Sequence, residues 1–114
     1  NAERAGVSDD IMFSVRAMSA VEPPTGPGLV AANPPYGVRV GDRHEIRNLY
    51  SQLGHVLRRH CARWRVTLFS PDPRLTGQLG FPMRCTVATT NGGIPVRMEV
   101  GEVPAVPEPT RVYF

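Results

Sequence analysis

The chain has 114 residues, 41% of them hydrophobic, 20% charged and 7% aromatic, with a formal net charge of +3. That is room for one small domain or part of a larger one, and the charge alone is too small to establish a nucleic-acid partner. No apolar run approaches the roughly 18 residues of a membrane span, and the polar start Asn1-Ala-Glu-Arg-Ala-Gly6 lacks the apolar stretch of a signal peptide. With no initiator Met, the sequence is expected to begin inside a longer product. All 13 basic residues are arginine, a planar phosphate-matching side chain but also what a GC-rich genome produces. Cys61 and Cys85 are isolated and read as reduced, small apolar residues of a cytoplasmic protein.

In chain order, residues 1–7 read as the end of a helix stopped by Gly6. Ile11 to Met18 alternates apolar and polar residues, with Ile11, Phe13 and Val15 on one face, which predicts a strand. Glu22 to Gly28 holds three prolines and two glycines and must be a loop. Leu29-Val-Ala-Ala32 is a continuous apolar run, the pattern of a central parallel strand covered on both faces.

A helix should follow, with Asp42 as cap, Glu45 completing a capping-box-like pair, and an end near His60. Ile46, Leu49, Tyr50, Leu53, Val56 and Leu57 recur at helical spacing and form its packing stripe, while Arg43, Arg47, Arg58 and Arg59 lie largely off it. Arg65 to Ser70 is the next strand, stopped by Pro71-Asp-Pro73, and Asp72 to Leu79 is a short helix before Gly80. Two further strands, Arg84 to Thr89 and Ile94 to Val103, flank Thr90-Asn-Gly-Gly93, a hairpin signal. The prolines after Val103 make residues 104–114 an extended tail. Strands joined by helices and closed by an antiparallel hairpin define an α/β sheet.

Asn33-Pro-Pro-Tyr-Gly37 directly follows the buried-strand candidate, at the place where open α/β sheets bind ligands. Methylating an exocyclic amino group on a base is hard because its lone pair is delocalised into the ring. Two acceptors on its hydrogens, the Asn33 side-chain oxygen and the Pro34 carbonyl, would favour a pyramidal nitrogen and stabilise the developing positive charge. Pro34 and Pro35 fix the backbone, and Tyr36 offers an aromatic face for an extruded base. The plainer alternative is a rigid strand-to-helix turn with Asn33 as a local cap. His44, His55 and His60 miss the spacing of a ligand set, so no metal is expected. Arg39, Arg43 and Arg47 follow the motif and either grip phosphates near the target or form a solvated helix start. Asp72 and Asp42 read as caps.

Asn-Pro-Pro-Tyr is similar to the hallmark of amino-methyltransferases acting on nucleic-acid bases or on glutamine. The longer string Gly28-Leu-Val-Ala-Ala-Asn-Pro-Pro-Tyr-Gly37 resembles the UPF0020-type RNA methylases, which include 23S rRNA guanine-N2 methyltransferases that usually carry an upstream THUMP domain. Leu49-Tyr-x-x-Leu-Gly54, Asn91-Gly-Gly-Ile-Pro-Val-Arg-Met98 and the opening Asn1 to Gly6 extend the likeness over residues 1–103. The resemblance implies the C-terminal half of a Rossmann-like class I methyltransferase sheet using S-adenosylmethionine. On it, Asn33, Pro34, Pro35 and Tyr36 would be catalytic, and Ala17, Met18 and Asn33 would face the cofactor. Tyr36, Gly37, Arg39, Asn91 and Gly92 would face the substrate.

The family's Gly-rich cofactor loop and ribose-binding acid do not occur in these residues, and Ala17 stands where the family often has an Asp. The resemblance therefore implies an RNA partner, ribosomal RNA first, for the parent protein, and an isolated chain without activity. A DNA adenine-N6 methyltransferase is the rival enzyme, and a truncated RNA-binding or structural module the rival from another class. A sheet lacking its first strands exposes an edge, so copies are expected to associate.

Overall fold

The computed structural model describes residues 1–36 and 43–105. It opens on one turn of helix. Val7 N–H donates to the Ala2 carbonyl and Gly6 N–H to the Glu3 carbonyl, both at 3.0 Å. These two bonds make a Schellman ending, and Gly6 has the left-handed φ of +73° it needs.

The expected strand at Ile11–Met18 does not form. Short 3-10 turns at Ser8–Asp10 and Met18–Ala20 bracket a segment with no ladder. Its apolar residues face solvent: Phe13 is 77% exposed and Val15 fully so. Alternation prepares the faces of a strand, but the hydrogen bonds must come from a neighbour. None of the described strands runs alongside.

The loop Glu22–Gly28 closes against Trp64. A Cβ at Gly26 or Gly28 would run into the indole, so these glycines let the backbone lie on the ring. Arg65 N–H then donates to the Gly28 carbonyl at 3.0 Å. That bond leads into β1 (Leu29–Ala32), which pairs in parallel with β2 (Arg65–Ser70), Leu29 opposite Arg65 and Ala32 opposite Leu68.

Between them runs α1 (Arg43–His60), with Tyr50, Gly54 and Leu57 buried and Ile46 and Leu53 packed against the core. The expected cap Asp42 lies outside the described residues. Gly54 marks the closest approach: a Cβ there would collide with the backbone of Leu79. Glycine in a helix interior costs about 1 kcal/mol relative to alanine. Here it admits Leu79, which is completely buried, and fully burying such a side chain is worth roughly 1.5–3 kcal/mol.

After β2, Asp72 caps α2 (Pro73–Thr76), accepting from Arg74 N–H at 2.8 Å, with Pro at the first helical turn. A 3-10 turn at Gly77–Leu79 continues it. β3 (Met83–Asn91) and β4 (Ile94–Glu102) form the expected hairpin. Its two-residue turn uses Gly92 and Gly93 at φ of +58° and +81°, the paired left-handed conformation that suits strand twist.

The sheet order is β1-β2-β4-β3, parallel at β1–β2 and antiparallel elsewhere. The α/β class with a closing hairpin is as expected, but β1 is not central. It is an edge strand, with Leu29 62% exposed, because no described strand pairs with its outer side. The core lies on one face, where Val66 and Leu68 of β2 meet Tyr50 and Leu57 of α1, Leu79, Phe81 and Val103. No helix among the described residues is long and apolar enough to cross a membrane.

Candidate functional site

Asn33 leaves the sheet where β1 ends, so the motif stands at the carboxyl end of the parallel pair β1–β2. Asn33 and Pro35 are exposed, and Pro34 and Tyr36 are half-buried. The motif is therefore reachable from solvent.

Three sequence-predicted residues converge by hydrogen bonding. The Tyr36 hydroxyl donates to Asn33 Oδ1 at 2.6 Å. It also accepts from Asn91 Nδ2, again at 2.6 Å, across 55 positions of sequence. Asn91 ends β3 at the hairpin turn, beside Gly92. The glycine turn thus brings an amide to the motif, and the Asn91–Tyr36–Asn33 chain fixes the Asn33 carboxamide. A carboxamide oxygen has two lone pairs, so with Tyr36 on one, Oδ1 can still accept a second hydrogen.

The motif separates two concavities of different chemistry. On one side Asn33 borders an apolar hollow of about 240 Å³ with Ala31, Thr67, Phe69 and Met98 in its wall. On the other, Tyr36 borders a cleft of about 500 Å³ whose walls carry Arg43 and Arg47 of α1 and Asp72 and Arg74 of α2. The hollow offers a surface for a flat ring, and the cleft offers positive charge.

Arg74 is fastened to Asp72, with Nε 3.2 Å from Oδ2 and Nη2 3.1 Å from it. The Arg74 backbone N–H first, and its guanidinium second, hold the Asp72 carboxyl below its ordinary pKa. In the core, Tyr50 of α1 is completely buried. Burial pushes its phenol up, the Ser70 side chain opposes that shift, and Tyr36 and Glu99 add to it. No described group meets hydrogen-bond geometry with the Tyr50 hydroxyl. The stripe pattern presents Tyr50 as packing alone and gives no sign of its unpartnered hydroxyl.

Of the other expected site residues, Ala17 and Met18 do not join this group. Gly37 and Arg39 lie outside the described residues. Ala17 precedes the 3-10 turn that begins at Met18, and this turn lies against α1. Neither residue borders the hollow at Asn33. That hollow also has no carboxylate in its wall, so nothing there matches the ribose hydroxyls of S-adenosylmethionine. These residues do not fit the whole cofactor. Among the described residues no three His, Cys, Asp or Glu side chains are grouped to hold a metal ion. Sequence reasoning missed Arg74, because only the packing of α2 beside α1 brings it to Tyr36.

Comparison with known proteins follows the same lines. A family model described as UPF0020, RMKL-like methyltransferase domain, matches residues 1–95. A ribosomal RNA large subunit methyltransferase K/L of Pseudomonas putida is 36% identical over 101 residues, which are 86% of this chain and 14% of that protein. The chain thus spans about one seventh of the length of the curated relatives of this kind that it matches. Among solved structures, a possible methylase from Clostridium difficile 630 superposes with a TM-score of 0.68 at 27% identity, over 97% of this chain and 28% of that one. A candidate methyltransferase complexed with SAH superposes at 0.70 and 20% identity, over 98% of this chain and 28% of that one, a likeness of fold.

Proposed function

The chain belongs to the UPF0020 family of RMKL-like methyltransferase domains, and from that premise we propose that it forms the acceptor side of an enzyme methylating an exocyclic base nitrogen in RNA. The target we propose is guanine-N2 of ribosomal RNA, with S-adenosylmethionine as the methyl donor. The relatives named for ribosomal RNA methylation support the RNA reading, and the neighbour complexed with SAH supports the donor.

The observation that carries the reading is the orientation of Asn33 by Tyr36 and Asn91 through two 2.6 Å hydrogen bonds. An aromatic amine donates two hydrogens and is a weak nucleophile. Asn33 Oδ1 takes one hydrogen on its remaining lone pair, and the Pro34 carbonyl takes the other. Both dipoles are set before substrate arrives, so no reorganisation is needed as positive charge grows on nitrogen. Pro34 and Pro35 keep the backbone from relaxing. The Tyr36 ring stacks on the extruded base, worth roughly 1–3 kcal/mol. The 114 residues alone are inactive in this reading, because the methionine and ribose ends of the donor are held by residues outside this sequence.

The test is labelled-methyl transfer to ribosomal RNA by the whole protein. Asn33→Ala should lower turnover by roughly 100- to 1000-fold, the usual loss on removing one preorganised polar group, with the circular dichroism spectrum unchanged. Activity within tenfold of the parent would refute the role of Asn33. Transfer to duplex DNA in preference to RNA would assign the acceptor to adenine-N6 instead.

A further inference from the structure

The cleft beside Tyr36 has a use that base methylation does not itself require. Arg43 and Arg47 stand on the first turns of α1, and Arg74 reaches the same cleft from α2. Of these, Arg74 is paired with Asp72. Among the described residues, neither Arg43 nor Arg47 has a carboxylate within ion-pair distance. Among the described residues, the acid in the cleft wall is thus already engaged by Arg74, and Arg43 and Arg47 line the same cleft.

Arg74 is also held for a purpose its exposure would not predict. Its side chain is 88% exposed, a situation in which ion pairs rarely hold one geometry. Here Asp72 is itself fixed as the cap of α2, and it grips Nε and Nη2, leaving Nη1 unused. A guanidinium held by one edge keeps its free nitrogen for a second oxygen ligand.

We propose that this cleft binds the phosphodiester backbone of the RNA strand on one side of the target nucleotide. Arg43 and Arg47 neutralise phosphate charge, and Arg74, steadied by Asp72, supplies a directed donor. The inference rests on the RNA reading of the Tyr36 site and adds the contact that positions the strand. Phosphate contacts set register and orientation while the base is read elsewhere, which matches the division between the arginine cleft and the apolar hollow at Asn33.

The test needs no methyl donor. Binding of the 114-residue chain to a fluorescein-labelled, single-stranded 20-nucleotide RNA is followed by anisotropy between 50 and 300 mM salt. Arg43→Gln, Arg47→Gln and Arg74→Gln should each weaken binding roughly threefold, and the triple variant roughly 30-fold. Each should also flatten the plot of log affinity against log salt by about 0.7. Arg59→Gln, near the far end of α1, is the control and should leave both readouts unchanged. A triple variant with the parental affinity and slope overturns the proposal, as does an equal loss in Arg59→Gln. Equal, arginine-dependent affinity for duplex DNA overturns the RNA assignment. Methyl transfer by Asn33→Ala in the whole protein tests the Tyr36 site, whereas the salt-dependent binding of the arginine variants tests the cleft, so the two readings fail separately.

Discussion

The two faces of the sheet have similar apolar content and opposite fates. In β2, Val66, Leu68 and Ser70 are buried toward α1, while Thr67 and Phe69 on the alternate face are half-buried and Arg65 is exposed. The pairing register carries that division across the sheet. Ala31, Thr67 and Val100 form one row of the open face, and Phe69, Met98 and Val87 form the next. On the covered face Leu68 lies between Ala32 and Glu99. Helix α1 reads from its own periodicity and needs only one face to pack on. The apolar residues of the open face suit a cover that the described residues supply only in part, Val96 being buried while Phe69 and Met98 are half-buried. A strand that is apolar throughout, like Leu29–Ala32, reports the environment it is built for rather than the one a given stretch of chain provides.

The sharpest way to break the contrast is on the covered face. Gly54→Ala places a methyl against the Leu79 backbone, which cannot yield like a flexible side chain. Alanine's helix propensity would favour α1 by about 1 kcal/mol, yet the collision should override it. Net destabilisation of about 1–3 kcal/mol is expected from overpacking, read as a lowered midpoint in urea. A variant more stable than the parent would mean α1 and the Gly77–Leu79 turn can part without loss.

An effect of similar size on the same face comes from its polar inclusion. Glu99 is only 3% exposed and accepts a hydrogen bond from the Thr76 hydroxyl. Thr76→Val keeps the shape and removes the donor, leaving a buried carboxyl oxygen unpartnered at a cost of about 1–3 kcal/mol. Adding Glu99→Gln should recover part of that loss, because an uncharged amide is less costly to bury without a partner. Equal stability of Thr76→Val and the parent in urea titration would show that Glu99 finds another donor.

These contrasts also explain what could be read in advance. The stripe of α1, the strand at Arg65–Ser70, the Asp72 cap and the Asn91-Gly-Gly turn are local patterns, and each formed as expected. Asn33, Tyr36 and Asn91 were legible singly, as a motif and a loop, but their joining depends on the hairpin tip running past the end of β2 to meet Tyr36. Arg74 was not legible, since only the packing of α2 and the turn after it against α1 brings it to the cleft. Ile11–Met18 failed in the opposite sense: the strand pattern is present, and its partner is not among the described strands. Trp64 bedding on Gly26 and Gly28 left no signal at all, because glycines in a proline-rich loop already have a sufficient local explanation.

The last and smallest effect on stability tests the open face. Leu29 is 62% exposed and Val87 47% exposed, so Leu29→Lys and Val87→Lys should shift stability by no more than about 0.5 kcal/mol. Their effect should appear instead in assembly. We propose that copies of this chain associate through the unpaired edge of β1 and the open face beside it, since an unpaired strand edge and exposed apolar rows are what native folds cover or charge. Light scattering of the parent chain at rising concentration should show an average mass above that of one copy, and Leu29→Lys should return it toward the monomer. A parent that stays monomeric at high concentration would refute the association. Association that persists undiminished in Leu29→Lys would move the contact to the exposed apolar residues around Phe13.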